Sequence, residues 1–167
     1  MKSKSITTTR FNNETFQQNK NYMKKANIML AGKNINEMKI KIFPKGTVIF
    51  PKRGGAILTN KKRILFQNSS FDLNIMGVIP NDKIISKYLY YWFLKLNLGT
   101  IYDGSSVPQI NNKNIVHLKI PIPELEIQNK IIQEIESRLS VCDKLEETVK
   151  TLEEKFKVSK VEMQKEI

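Results

Sequence analysis

The sequence predicts an α+β chain: a compact mixed α/β domain followed by a long C-terminal helix of coiled-coil type. Three observations carry this. Short apolar alternations broken by Gly, Pro and Asn fill the stretch between residues 38 and 80, the pattern of strands and turns. A helical period of apolar residues runs from Ile84 to Leu98. From Glu124 onward neither Gly nor Pro interrupts a second helical period.

The elements follow in order. Residues 1–25 are rich in Thr, Asn, Gln and Lys, with isolated Phe11, Phe16 and Tyr22 and no sustained period. They are expected as a flexible basic and polar arm, with the compact domain over residues 26–123 and the helix over 124–167. Met38–Phe43 (MKIKIF) alternates as a half-buried strand does. Lys45-Gly46 is a turn, Thr47–Phe50 a second strand, and Pro51–Gly55 (PKRGG) ends it. Ile57-Leu58 and Ile64–Phe66 suggest strands on either side of a basic turn, Asn60–Arg63. Leu73–Ile79 is β-like and stops at Pro80. The helix over Ile84–Leu98 buries Ile85, Tyr88, Leu89, Trp92, Phe93 and Leu96, with Gly99 as its stop. Gly104-Ser105 makes a turn, Pro108 keeps Val107 extended, and Asn111–Val116 is a short helical turn. Leu118, Ile120 and Ile122 alternate with His117, Lys119 and Pro121, an edge strand because Pro121 has no donor.

The last element is a helix of about 40 residues, about 60 Å long. Its apolar residues fall at spacings mostly of three and four: Ile131, Ile135, Cys142, Leu145, Val149, Leu152, Phe156 and Met163. Such a stripe has no core of its own and calls for another helix. Ile131, Ile135, Leu145, Val149, Leu152 and Phe156 are therefore the candidate subunit interface.

Charge narrows the partner. The chain holds 28 Lys and Arg against 16 Asp and Glu, a net charge of +12. Residues 1–63 alone carry +13, residues 64–126 carry none in balance, and residues 127–167 carry −1. A cationic third of this kind fits a polyanion, because cations that meet phosphates release condensed counterions. The bland reading is a solubilising surface in a Lys- and Asn-rich composition. One cysteine, Cys142, excludes an internal disulfide framework and points to a reducing compartment. The aromatic run Tyr88–Leu98 is too short to span a bilayer, and MKSKSITTTR has no apolar core of a secretory signal. A cytoplasmic protein with no membrane partner is expected.

Catalytic chemistry is sparse. The sequence has no GxxxxGK[ST] or GxGxxG loop, and Lys52-Arg53-Gly54-Gly55 reads as a turn. His117 is the only histidine and reads as structural. One Cys and one His cannot build a tetrahedral zinc site. No Asn-Pro-Pro-Tyr or Asp-Pro-Pro-Tyr segment is present to hold a flipped base. Nucleic-acid contacts are better supplied. Lys52 and Arg53 lie on one expected turn and Lys61, Lys62 and Arg63 on the next. Arg reads guanine with two hydrogen bonds and Lys meets phosphate. Ser105, Ser106, Gln109, Asn111 and Asn112 form a polar, uncharged loop, and Asn and Gln read adenine edges. The alternative for Gln109 and Asn111 is that they cap turns. Tyr102 and Trp92 could stack on bases, although Trp92 fits the core.

Two segments also carry a family likeness. GSSVPQIN at Gly104–Asn111, followed by LKIPIPELEIQ at Leu118–Gln128, resembles the end of a target recognition domain in the specificity subunits of type I restriction-modification enzymes. The resemblance covers about Lys45 to Thr148. Gly46–Gly55 looks like the family's lysine-glycine strand and glycine turn, and Pro121–Gln128 like its exit motif, with Ile127-Gln128 where Glu-Gln is usual. The resemblance implies a non-catalytic protein that reads double-stranded DNA. It implies a long helix that docks a methyltransferase subunit, and a restriction subunit in the same system. No cofactor is then expected on this chain, since S-adenosylmethionine, Mg and ATP serve the partner subunits. Only one recognition unit is visible, which leaves a half-size subunit, a C-terminal piece and a recombination cassette open. A half-size subunit would pair as a homodimer through its helix and read a palindromic split site. The readings from other classes are a coiled-coil interaction protein and an RNA-binding accessory protein.

Overall fold

A computed structural model describes residues 7–11, 21–23, 28–31 and 39–163. The chain divides into two compact units, Met1–Gln128 and Asn129–Ile167. The first holds two sheets. One has the order β3-β1-β6, from β1 (Thr7–Phe11), β3 (Ile28–Ala31) and β6 (Ser69–Phe71). The other has the order β2-β5-β4-β7, from β2 (Tyr22–Met23), β4 (Val48–Pro51), β5 (Arg63–Leu65) and β7 (Ile75–Val78). β4 lies antiparallel to both its neighbours. β1 and β2 join β6 and β5 in parallel.

The core is built around β4. Val48, Ile49 and Phe50 are all fully buried, so both faces of the strand are covered, and a continuous apolar run suits that place better than alternation. On one face Ile49 joins Met23, Leu65 and Ile75, with Phe43 and Phe71 against them. On the other, Phe50 meets Phe93 of helix α1 (Ser86–Lys95) at 5.3 Å between ring centroids. Trp92 lies edge-on to Phe93 and is half-buried.

Several expectations change. Within the expected arm, Thr7–Phe11 and Tyr22–Met23 are paired strands, whose polar composition hides their pairing from a pattern based on apolar periodicity. Residues 12–20, Phe16 included, and Met38 lie outside the described residues. Lys39–Phe43 is not a strand. Lys39 has the left-handed φ of 49°, and only Phe43 is bridged, exchanging two backbone hydrogen bonds with Ser69. Ile57-Leu58 lies in a 3-10 helix, Gly54–Thr59, that turns Ile57 inward and leaves Leu58 exposed. The β-like segment begins at Ile75, because Asp72 accepts the Asn74 amide and holds residues 72–74 in a turn. Helix α1 stops at Lys95 without Gly99. Leu96 is extended, and Asn97 caps a separate turn by accepting from the Gly99 amide.

Leu118–Ile122 forms no strand among the described residues. Pro121 and Pro123 remove two donors, and the Pro121 carbonyl instead accepts from the Tyr88 hydroxyl at 3.0 Å. The expected helical turn is present as α2 (Asn112–Ile115) and the long helix as α3 (Leu125–Met163), 39 residues. No helix among the described residues is long and apolar enough to cross a membrane.

Candidate nucleic-acid interface

Two of the segments singled out for contacts meet. The PKRGG turn after β4 and the loop before α2 form a short antiparallel bridge with Arg53 opposite Gln109. The Gly54 amide donates to the Pro108 carbonyl at 2.8 Å and the Ile110 amide to the Lys52 carbonyl at 2.9 Å. These bonds flank the Arg53–Gln109 position, so it is a non-hydrogen-bonded pair. Side chains of such a pair leave one face close together. Ile110 is fully buried on the opposite face, which turns Arg53 and Gln109 outward.

Lys52, Arg53, Leu73, Gln109, Ile110 and Asn111 line one cleft of about 230 Å³. Neither the Arg53 guanidinium nor the Gln109 side-chain amide has a polar partner among the described residues, so both are available to a ligand. Leu73 is the residue that pattern reading misses. It sits on the β6–β7 turn, 81% exposed, next to Asn74, whose carbonyl accepts the Lys52 amide.

Asp103 fixes the loop. Its carboxylate accepts the Ser105 and Gln109 amides at 3.3 and 3.2 Å, and the Ser105 hydroxyl lies 2.7 Å away. The Ser105 hydroxyl, with the amides, holds this carboxyl below the usual carboxylate range. Gly104 has φ +72°, where nothing crowds a Cβ, so glycine serves the backbone conformation and not a close packing contact. Ser105 and Ser106 are exposed on this loop, and Asn112 is exposed at the start of α2. The amide of Asn111 donates to the Asn114 side chain at 2.8 Å, so Asn111 opens α2 as well as lining the cleft.

The second basic cluster is corrected. Lys61 is half-exposed, but Lys62 and Arg63 do not project from a turn. Lys62 is 1% exposed, and its ammonium donates to Asn60 Oδ1 at 2.6 Å and to the Leu96 carbonyl at 2.5 Å. Asn60 Oδ1 also accepts the Leu98 amide. Arg63 lies in β5, 9% exposed, and donates to the Lys62 carbonyl. Arg63 is held because β5 is a central strand flanked by β2 and β4, and Lys62, just before it, by its bonds to Asn60 and Leu96.

Burial lowers the Lys62 ammonium from 10.5 to about 8. Between those values the unfolded chain binds a proton that the folded chain has released, so stability rises with pH across that window. Lys62→Met should abolish this alkaline rise, since methionine has no proton to release. Urea unfolding of both proteins from pH 7 to 10.5 checks it.

The second unit is the helix beyond Gln128. Leu145, Val149, Leu152 and Phe156 are exposed by 54–72%, Ile131 by 37%, and Ile135 is half-buried. Glu134 and Arg138 form an exposed i,i+4 pair at 2.6 Å, a contribution of only about 0.3–0.5 kcal/mol. The helix therefore presents Leu145, Val149, Leu152 and Phe156 to solvent without strong internal support.

Residues 2–154 match the family model described as the type I restriction modification DNA specificity domain. The chain is similar to the type I restriction enzyme MjaIX specificity subunit of Methanocaldococcus jannaschii, 30% identical over 115 residues. That match covers 66% of this chain and 26% of the relative, so the chain spans about a quarter of that relative's length. Two solved structures share the fold. The HsdS subunit from Thermoanaerobacter tengcongensis aligns with a TM-score of 0.57 at 11% identity, covering 86% of this chain and 33% of its own. A chain from work on complex assembly and conformational transition of the type I R-M system aligns with a TM-score of 0.61 at 15% identity, covering 81% of this chain and 32% of its own.

Proposed function

Since the chain belongs to the type I restriction modification DNA specificity family, we propose that it reads double-stranded DNA through the Arg53–Gln109 cleft. On this reading it directs a methyltransferase subunit, and with it a restriction subunit, to the bound site. The observation that carries the reading is the Arg53–Gln109 bridge, which brings a guanidinium and an amide out on one face. Lys52 beside them and half-exposed Lys61 are suited to phosphate. S-adenosylmethionine chemistry then belongs to the methyltransferase subunit, and this chain supplies address and not catalysis.

Salt tests the reading. Two cations on phosphate, Lys52 and Lys61, give a log–log slope of about −1.8, an affinity loss of about 12-fold between 50 and 200 mM salt. Fluorescence anisotropy of a labelled duplex measures it. Equal affinity for duplex RNA, or no salt dependence, would remove the DNA reading.

The exposed row Leu145, Val149, Leu152 and Phe156 supports assembly through the helix. The methyltransferase subunit is its proposed partner, and a second copy of this chain is the alternative. Mass in solution at tens of micromolar, with and without the methyltransferase subunit, separates the two.

A further inference from the structure

We propose that Arg53, Gln109 and Leu73 read two adjacent base pairs in the major groove, a G·C pair next to an A·T pair, with Leu73 on the thymine methyl. The inference rests on the DNA reading above and goes beyond it by assigning the bases.

The bridge sets the spacing. Cross-strand neighbours in a non-hydrogen-bonded pair have Cβ atoms about 4.5–5.5 Å apart. Successive bases on one strand rise about 3.4 Å. Two side chains leaving one face at that separation therefore address neighbouring base pairs, not the same one and not pairs a half-turn apart. Ile110, buried behind the bridge, and the Ile110 amide bond to Lys52 keep the pair from rotating inward.

Chemistry then assigns the bases. Arg53 has a planar fork of donors that matches guanine O6 and N7, whereas Gln109 offers one donor and one acceptor, the complement of adenine N7 and N6. Both groups have no polar partner among the described residues, so no internal bond must break for them to bind. Leu73 is 81% exposed on its turn, so its side chain is accessible to a ligand in the cleft. It lines the same cleft as Gln109, and the thymine opposite an adenine carries the one methyl group in the major groove. Asp72 holds the turn that presents it, through the Asn74 amide at 2.8 Å.

The test uses the full chain and chemically edited duplexes. A preferred duplex is first selected from a randomised pool at 50 mM salt. Affinities are then measured for duplexes carrying 7-deazaguanine, 7-deazaadenine or uracil in place of thymine, against wild type and the Arg53→Ala, Gln109→Ala and Leu73→Ala variants. Removal of N7 should weaken wild-type binding about five- to 100-fold, and removal of the thymine methyl about fourfold. Each variant should lose sensitivity only to its own edit: Arg53→Ala to 7-deazaguanine, Gln109→Ala to 7-deazaadenine and Leu73→Ala to uracil. Unchanged urea midpoints establish that the variants remain folded. Duplex binding in which the variants keep all three sensitivities overturns the base assignment while the DNA reading stands. Absence of any selected duplex overturns the DNA reading and the assignment with it.

Discussion

Gln128→Leu is expected to lower the unfolding free energy by about 3–5 kcal/mol. The side chain is fully buried and makes three hydrogen bonds, all within the first unit. Its Oε1 accepts the Ile85 amide at 2.9 Å, and its Nε2 donates to the Lys83 and Pro123 carbonyls, both at 2.8 Å. Leucine fills a similar volume but leaves one donor and two acceptors unsatisfied, each costing about 1–3 kcal/mol if it stays dry. The loss combines less than additively, because one shift of the 83–85 loop can admit water to more than one group. The midpoint of urea unfolding reads the effect. A loss below about 1 kcal/mol would mean that these three backbone groups find other partners and that Gln128 is not what joins the loop to the start of α3.

Phe93→Ala is expected to cost about 3–5 kcal/mol. Phe93 is 2% exposed and lies between Phe50 of β4 and the edge of Trp92, at centroid distances of 5.3 Å each. Truncation removes the aromatic pair and leaves a cavity that a helix on a rigid strand cannot close. Phe50 should behave alike. Because the rings touch, the double variant Phe93→Ala, Phe50→Ala should cost less than the two single losses combined. Full additivity in urea unfolding would show that the contact contributes nothing beyond area.

These two residues show what pattern could and could not reveal. Phe93 was legible, since a helical period from Tyr88 to Phe93 points one face inward, and the fold buries Tyr88, Leu89 and Phe93 as that period requires. Gln128 was visible only as a letter in a family-like segment. A polar residue carries no periodic signal that separates a solvent face from a buried hydrogen-bonding role. The fold also separates it from its neighbour: Ile127 is 43% exposed.

The same limit runs through the candidate site. Lys52, Arg53, Gln109 and Asn111 were named from composition and come together in one cleft. Lys62 and Arg63 carry the same charge and are buried, because charge points to a partner and not to the side of a strand. Leu73 reads as strand by its apolar character, and the bonds of Asp72 to the Asn74 and Ile75 amides set it on a turn. The strands Thr7–Phe11 and Ser69–Phe71 are polar segments whose partners lie far along the chain, and no local pattern announces such pairing.

That long-range pairing has a consequence in time. β1 meets β6 with Thr9 beside Ser69, and β2 meets β5 with Tyr22 beside Ile64. At a synthesis rate of about 5–20 residues per second, β1 waits roughly 3–12 s for its parallel neighbour to be made. The β1–β3 ribbon can close early, since its strands are near in sequence. Its other edge stays open through that interval, and β2 has no neighbour in its sheet until β5 emerges. Both sheets therefore finish late, the first when residues 69–71 arrive and the second when residues 75–78 follow. The nascent chain is most exposed to strand-by-strand association just before that point, and a helper that shields edges would act there.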